Sequence, residues 1–596
     1  MAMPMNENTI GREPLQIIEI EQPLCSLEYG VAPCAAGIGV SGAIKCFNTS
    51  KTCQDVPNYD PEPLLLRFCK PQAKLPEGLF CIPSLQSVST SPTQINVVGG
   101  SRSKGPLGIR AELSVTFKDH PYSDVLVDKY RLERGYIATD RGSYWSKWIA
   151  RNPYYVSYTM RVYDGYVGQS LAEMNKRTYL IDSISGPDSN QNVSIRAKDV
   201  LKLADNEKAQ APIASTGELI VDYTSTASMD PMRITGGIAS EYPAPGKVRI
   251  NKEVFSYTGV TTIDETEIRL TGVSRAQAGT EARSQDAEDR VQWCLEYNNI
   301  RPDVLTNDLL TTHGDVPSEF IPLADWDAEA SIWLQQFTLS TLITEPTGVT
   351  DLLGEITEQA LFYIWWDERD EEIKLRALRP SSGDTVASID NFKNILAGTF
   401  ELKAQPKERI SQVWVFFGQR DPTQKLDDDQ NYRRVRVRVD ADAESDLQYG
   451  ESRIKKIYSR WLQTNAMAIQ TTARLLTRFR DTPEYIAFAL DAKDRSMWTG
   501  DLADVSVDSV VDVTGANRVN RWQVISAEET VSGEVTEYQL QRFEYGGAGE
   551  QGQSAFWMPS DAPIHADATE TEREAGAWWG DELGLMQNGD DGYKWL

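Results

Sequence analysis

This sequence has few histidines, few cysteines outside one region and none of the common catalytic motifs. Its 596 residues contain three histidines, His120, His313 and His565, which are dispersed along the chain. No run of 18 apolar residues occurs, so the sequence predicts no membrane-spanning helix. The GxSxG, HExxH and P-loop motifs are missing, and these are the common marks of hydrolases and nucleotide-binding enzymes. We therefore expect a protein that is not an enzyme.

The N-terminal sequence indicates where the protein is made, and the overall charge indicates which partners it binds. The stretch MAMPMNENTIGREPLQIIEI has no apolar core of secretory length, so we expect synthesis in a reducing cytoplasm. The chain carries 60 basic and 87 acidic residues, a net charge of −27. This balance argues against a protein that grips nucleic acid. It suits a conduit whose acidic wall repels passing DNA, although solubility explains such a charge equally well.

Six of the seven cysteines lie within the first 81 residues. Four of them, between Cys25 and Cys53, are separated by eight, eleven and six residues, and no CxxC pair of the kind common in zinc ribbons is present. Four thiolates on wide, glycine-containing loops suit a larger object such as a cubane iron–sulfur cluster. In a reducing compartment, clustered cysteines more often bind metal than form disulfides. Zinc and unliganded cysteines remain alternatives at this point.

The cysteine stretch also resembles a known family. Its outer intervals are similar to the cysteine pattern of the lambda-type phage tail tip proteins, which carry a four-iron cluster. The phrase KCFNTSKTCQDVPNY, followed by LLLRFCKP, resembles the opening of baseplate hub proteins of siphophages that infect Gram-negative hosts. The resemblance implies a 4Fe-4S cluster, with zinc as the alternative, whose ligands are Cys25, Cys34, Cys46 and Cys53. In the lambda-like proteins the cluster follows the hub domains, whereas here it leads, and Cys69 and Cys81 have no counterpart.

Alternation of apolar residues predicts a β-rich first body after a turn-rich linker. Leu107 to Phe117 alternates with period two, which is typical of a sheet with one wet face. A tyrosine-rich strand follows, and Asp164-Gly165 is expected to form its hairpin turn. The segment KDVLKLADNEKAQAP resembles the first barrel of the phage hub family. Short strands with turns every eight to ten residues predict that a small barrel is inserted at 213–285.

The second half mixes helices and strands. Helical spacing predicts helices near Trp326 and over 351–360, and then a strand, an acidic solvated turn and a return strand at LFYIWWDERDEEIKLRAL. Valines at 435, 437 and 439 alternate with arginines, which predicts a strand with a basic outer row. A helix over 462–479 followed by strands resembles the closing domain of the gp27-like hub fold. The tail carries tryptophans, which suggests anchors that dock on a partner.

We therefore expect a mainly β, α+β chain of several small β-barrel or sandwich hub domains with an N-terminal Cys-rich metal-binding region. The expected units are a Cys-rich iron–sulfur region (1–83), a first hub β-domain (84–212), an inserted small β-barrel (213–285), an α/β hub domain (286–400), a helix-plus-strand hub domain (401–545) and an acidic Trp-bearing tail (546–596).

The resemblance implies a structural virion protein. It would be the homotrimeric baseplate hub of a long non-contractile tail, assembled in the bacterial host cytoplasm and located at the tail tip. Its expected partners are the distal tail or tube protein, the tape measure protein and central tip or fibre proteins, with phage DNA passing through without specific binding. An iron–sulfur redox protein and a β-domain module that binds a receptor or carbohydrate are the alternatives.

Overall fold

The chain folds into several β-sheets with a few helices. The computed structural model describes residues 5–37, 46–97, 105, 107–125, 127–128, 131–132, 135–379, 381, 384–511 and 514–543, and the backbone of 577–579 and 593–595. Among these residues every sheet is open, which confirms a β-rich fold but not the closed barrels that the sequence predicted. Within the same residues, none of the helices combines the length and apolar character needed to cross a bilayer.

A seven-stranded antiparallel sheet with order β2-β1-β5-β6-β7-β4-β3 forms the first body. Its strands are β1 Pro14–Cys25, β2 Pro61–Cys69, β3 Leu85–Ser91, β4 Glu112–Lys118, β5 Thr159–Tyr166, β6 Asn175–Ser185 and β7 Asn192–Lys198. Helix α1, Tyr144–Arg151, lies on one face, where Trp145 stacks on Phe68 at 5.4 Å between ring centroids. The alternation around Leu113 and Val115 buries the apolar side of β4, as predicted. Instead of the short strands expected before residue 84, β1 and β2 are long members of this sheet.

Asp164 does not form the hairpin turn that the sequence predicted. Strand β5 continues to Tyr166, and the Asp164 side chain is fully buried. Its carboxylate accepts hydrogen bonds from the Arg177 guanidinium at 2.7 Å and from the Ser532 hydroxyl at 2.5 Å. Burial alone would raise the pKa of Asp164, but the charge of Arg177 and these hydrogen bonds hold it below its usual range. The hydrogen bond from Ser532 therefore links the first sheet to the C-terminal part of the chain.

Two four-stranded sheets follow, with orders β12-β13-β9-β8 and β11-β10-β14-β15. Their strands are β8 Glu218–Leu219, β9 Met232–Thr235, β10 Gly246–Ile250, β11 Glu253–Tyr257, β12 Gly259–Thr262, β13 Glu267–Thr271, β14 Gln292–Ile300 and β15 Leu339–Ile343. Buried residues of both sheets, such as Ile234 and Val248, share one core. This region is a small sandwich-like unit, where the sequence predicted a barrel.

The central core is built from helices packed on short sheets. The helices are α2 Pro302–Asp308, α3 Leu323–Trp333 and α4 Val349–Ala360, and the hairpin strands are β16 Phe362–Asp367 and β17 Glu372–Ala377. Trp326 is buried and donates to the Ile373 carbonyl at 2.8 Å, so the predicted aromatic stripe does face the core. The acidic turn between β16 and β17 is not simply solvated, because Asp367 and Glu368 are only 8% and 2% exposed.

The C-terminal body combines a three-stranded and a six-stranded sheet. The strands are β18 Val386–Asp390, β19 Glu401–Ala404, β20 Gln412–Gln419, β21 Tyr432–Val439, β22 Ile454–Tyr458, β23 Glu484–Asp491, β24 Leu502–Ser506, β25 Asn520–Val531 and β26 Val535–Arg542. The helices are α5 Ala441–Glu444 and α6 Asn465–Phe479. A final two-stranded pair consists of β27 Ala577–Trp579 and β28 Tyr593–Trp595. The long predicted helix corresponds to α6, and the rest of the predicted tail lies outside the described residues.

The two faces of strand β21 are the reverse of what the sequence predicted. Its valines are exposed, whereas Arg436 and Arg438 are half-buried on the side where α6 packs. The register explains this, because Val413, Val415 and Phe417 of β20 lie opposite the arginines and belong to the core beneath α6. Arginine stems can line such a core edge while their charged ends reach its rim. The predicted basic outer row is therefore wrong, and the outer row is aliphatic.

Candidate metal centre

The four predicted ligand cysteines belong to a single loop between β1 and β2. Cys25 ends β1 and lies in register with Pro61, the first residue of β2. Just beyond this pair, the Ser26 N–H donates to the Asp60 carbonyl at 2.8 Å. The Cys25 N–H donates to the Asn48 carbonyl at 2.7 Å, which folds the middle of the loop back onto its base. The 35 residues from 26 to 60 are thus closed at both ends by the seven-stranded sheet.

All four cysteines line one cavity, which is partly open to solvent. Each of the four side chains is half-buried. Their neighbours in the wall are Leu27, Tyr29, Ala36, Asn48, Thr49, Gln54, Asp55 and Asn58. The structure therefore brings together residues that are 28 positions apart in sequence, which is the arrangement that the spacing and the resemblance predicted. Whether they ligate a metal stays a prediction.

Local turns position the sulfurs. The Cys34 N–H donates to the Val31 carbonyl at 3.0 Å, and the Cys53 N–H donates to the Ser50 carbonyl at 3.3 Å, so each cysteine closes a tight turn. Gly30, at φ 76°, supplies the left-handed conformation of the preceding turn, in which the Val31 N–H donates to the Glu28 carbonyl at 3.1 Å.

Backbone N–H groups point at two of the sulfurs. The Asn48 N–H donates to Cys46 Sγ and the Asp55 N–H donates to Cys53 Sγ, each at 3.4 Å. In both cases the donor lies two residues after the cysteine. Hydrogen bonds of this kind favour the thiolate form of a cysteine, and in iron–sulfur proteins they also tune the cluster. These donors therefore prepare Cys46 and Cys53 for a negative charge on sulfur.

Cys46 and Cys53 nevertheless resist ionisation in the absence of a cation. Burial raises the pKa of Cys46 above its ordinary value, and the neighbouring cysteines raise it further, while the Asn48 N–H opposes both effects. Burial likewise raises the pKa of Cys53, again with contributions from Cys25 and Cys34. Four thiolates packed together repel one another unless positive charge lies among them. Metal binding at this cavity would therefore release protons.

The donor set of the cavity suits both groups that the sequence suggested. A zinc ion takes four thiolates at about 2.3 Å from one point, and a cubane iron–sulfur cluster is also held by four cysteine thiolates. In the described part of the chain, no three or more His, Cys, Asp or Glu side chains are placed to hold one metal ion. Which of the two groups the four cysteines would hold stays a prediction.

The remaining cysteines lie away from the cavity. Cys69 and Cys81 are buried in a small core beneath β1, where the Cys69 N–H donates to the Ile82 carbonyl at 3.0 Å. Burial raises the pKa of Cys81 to about 12, and Cys69 contributes to this increase. Cys294 is buried within the inserted unit. These three thiols are packed as core residues, so the structure separates them from the four that line the cavity.

The two histidines within the described residues do not form a catalytic group. His120 stacks on Tyr144 with ring centroids 5.1 Å apart. His313 is partly buried, and this burial lowers its pKa. Neither lies among the residues that line the cysteine cavity.

Comparisons with known proteins give only distant structural likenesses. No protein-family model matches the chain, and no curated protein matches it. A tail protein from Neisseria meningitidis is similar at 11% identity and a TM-score of 0.34, covering 73% of this chain and 88% of that one. The 43 kDa tail protein of prophage MuSo2 from Shewanella oneidensis is similar at 9% identity and a TM-score of 0.34, covering 77% and 96%. A prophage tail protein from Listeria monocytogenes is similar at 9% identity and a TM-score of 0.31, covering 65% and 84%.

Proposed function

We propose that this chain is a structural baseplate hub of a long non-contractile phage or phage-like tail. In this role three copies form a ring that joins the tail tube to the tip and lets DNA through. The distal tail or tube protein, the tape measure protein and central tip or fibre proteins would be its neighbours. Support comes from three separate stretches that resemble phage hub proteins: the cysteine loop, the segment KDVLKLADNEKAQAP and the strands after α6.

The observation that carries the proposal is the convergence of Cys25, Cys34, Cys46 and Cys53 on one cavity. The family resemblance rests on spacing and on the wording of the sequence, and the loop geometry is an independent reason to group these residues. They would hold a 4Fe-4S cluster. When bound, such a cluster contributes folding free energy to the segment that holds it.

The protein's own residues show why the loop would benefit. In the described parts of this loop, residues 26–37 and 46–60, the regular structure consists of two short helical turns, 50–52 and 56–58, neither of which has a buried residue. Their hydrogen bonds to the sheet are concentrated near Cys25 and Asp60. So small a segment has little core of its own, and a bound cluster would hold it in one conformation at the end of the first sheet.

The test is anaerobic purification of the full chain followed by iron and sulfide analysis, visible absorption and imaging of the oligomer. We expect about four irons per chain and a ring with threefold symmetry. Cys46→Ser should abolish the visible absorption and reduce assembly of the particle. Cys294→Ala, a change at a buried cysteine remote from the cavity, should leave the absorption intact. Metal-free wild-type protein, or full-titre infectious particles from Cys46→Ser, would contradict the cluster; a monomer that carries iron would contradict the hub alone.

A further inference from the structure

The outer face of the three-stranded sheet is apolar and is left uncovered by the residues that the structure describes. We define this face by Trp414, Val435, Val437, Val439, Ile454 and Lys456. The four aliphatic side chains are 40–48% exposed. The order β21-β20-β22 and the register place Val437 beside Trp414 and Trp414 beside Lys456 on this face. The opposite face is covered by α6. A row of exposed aliphatic residues beside an aromatic one marks an interaction surface.

The charge of this sheet selects the kind of partner. Strands β20, β21 and β22 contain six cations and no acidic residue, although the whole chain has a net charge of −27, and two of these cations, Arg433 and Lys456, share the outer face with the valines. Lys456 lies 5.4 Å above the Trp414 ring on the outer face, and its nearest acid is Asp429 at 4.0 Å. Both edge strands, β21 and β22, are cationic, so two copies of this sheet placed edge to edge would repel each other. The occupant that fits is acidic and carries large apolar side chains.

The chain itself contains such a segment. Residues 546–596 include ten acidic and two basic residues, together with Trp557, Trp578, Trp579 and Trp595. Tryptophans are the residues that most often supply binding energy in an apolar contact, and flanking acids would complement the cations of the face.

The segment leaves the body beside the C-terminal end of α6, on the opposite side of the same sheet from this face. Arg542 ends β26, and its carbonyl accepts a hydrogen bond from Arg478, in the last turn of α6, at 2.6 Å. Two residues later Arg480 pairs with Asp440 at 2.9 Å, and Asp440 directly follows the last valine of β21. A chain of about 50 residues, each able to span roughly 3.3 Å, reaches the face easily. Tethering at this distance also gives the segment a high effective concentration.

We propose that the outer face of β20–β22 binds the acidic, tryptophan-bearing C-terminal segment of the same chain. DNA is less suited as an occupant, because the valines face outward while Arg436 and Arg438 lie on the α6 side, and nucleic acid is held chiefly through exposed cations. The inference does not depend on the hub function or on the cluster.

Photo-cross-linking in the full chain tests the proposal. A benzophenone amino acid replaces Val437, and in a second variant Val439, both exposed enough to tolerate it; the matched control replaces Ile263 of the inserted unit, which is 46% exposed. Cross-links from the two sheet positions should map to residues 546–596, and Ile263 should give few. In a mixture of isotope-labelled and unlabelled chains, the linked peptides should carry the same label.

Charge reversal supplies the second arm. Lys456→Glu should lower the cross-link yield about fivefold, because it converts an attraction to the acidic segment into a repulsion. Lys403→Glu, at a 61%-exposed lysine in another sheet, should not change it. Cross-links to the body of a second copy, mixed labels, an unchanged yield with Lys456→Glu, or displacement of the segment by duplex DNA at physiological salt would each overturn the proposal.

Discussion

Glu368 offers a quantitative test of the buried acidic turn between β16 and β17. Its side chain is 2% exposed, and its Oε2 atom has no hydrogen-bond partner. Burial raises its pKa to about 7, adjacent Asp367 adds to the increase, and Arg177 and Arg369 only partly offset it. An ordinary glutamate has a pKa of about 4.3. The folded protein therefore holds the proton of Glu368 more tightly than the unfolded chain does.

The sign and size follow from proton linkage. Between the unfolded and folded pKa values the native state binds more protons, so the free energy of unfolding falls as the pH rises through this window. Each pKa unit corresponds to about 1.4 kcal/mol, so ionised Glu368 costs about 4 kcal/mol above pH 7. Glu368→Gln keeps the shape and removes the charge. It should raise stability by about 4 kcal/mol at pH 8 and have little effect at pH 4.

Urea titrations at both pH values measure this difference in the free energy of unfolding. Hydrogen exchange in the peptides around Thr178 and β16 gives a second, local readout. Thr178 is suitable because its N–H donates to the Glu368 carbonyl at 3.0 Å across the junction with the first sheet. The control is Glu281→Gln, at a side chain that is 84% exposed, where no pH-dependent gain is expected. An equal gain at pH 4 and pH 8, or no gain at pH 8, would refute the reasoning.

Three further predictions concern other parts of the chain. Glu253 is fully buried, and its carboxylate accepts a hydrogen bond from Arg275 at 2.7 Å. Burial raises the pKa of Glu253, but the hydrogen bonds and charge of its partners, Arg275 first among them, outweigh burial and lower it. Glu253→Gln should therefore cost about 3 kcal/mol of stability in thermal melts at pH 7, and progressively less as the pH falls below the ordinary pKa of a glutamate. Gly500 has a φ of 100°, and Gly500→Ala would place a Cβ 2.3 Å from the Trp365 ring. Gly398 has a φ of 79°, and its added Cβ would meet no atom within 4 Å. In urea titrations, Gly398→Ala should lower the free energy of unfolding by about 1 kcal/mol, and Gly500→Ala should lower it by more. Because the pKa of Cys81 is about 12, iodoacetamide at pH 8 should leave it unmodified in the native protein and alkylate it after denaturation, as mass spectrometry would detect.

Local patterns in the sequence predicted the elements whose character is set within one segment. The alternation around Leu113, the stripe at Trp326 and the amphipathic run that forms α6 each carry their own periodicity, so their type followed from sequence. The grouping of the four cysteines came from spacing and family resemblance, and the loop geometry agrees with it.

The features that sequence reasoning missed depend on partners distant in the chain. Asp164 reads as a turn residue until Arg177 and Ser532, the latter 368 positions away, are seen to bind it. The valines of β21 were expected to face inward, but the position of α6 decides which side of that strand is covered. Charge runs are usually solvated, so nothing local indicated that Glu368 would be enclosed at the junction with Thr178.

The loop that carries the four cysteines begins and ends at a matched pair of strand residues, Cys25 and Pro61. A loop anchored in this way can be replaced without disturbing the sheet, because a two-residue turn would connect the same two strands without altering their register. Related sheets could then acquire or discard such a cysteine-bearing loop in one insertion or deletion, and the position of the loop along a chain would carry little information about ancestry.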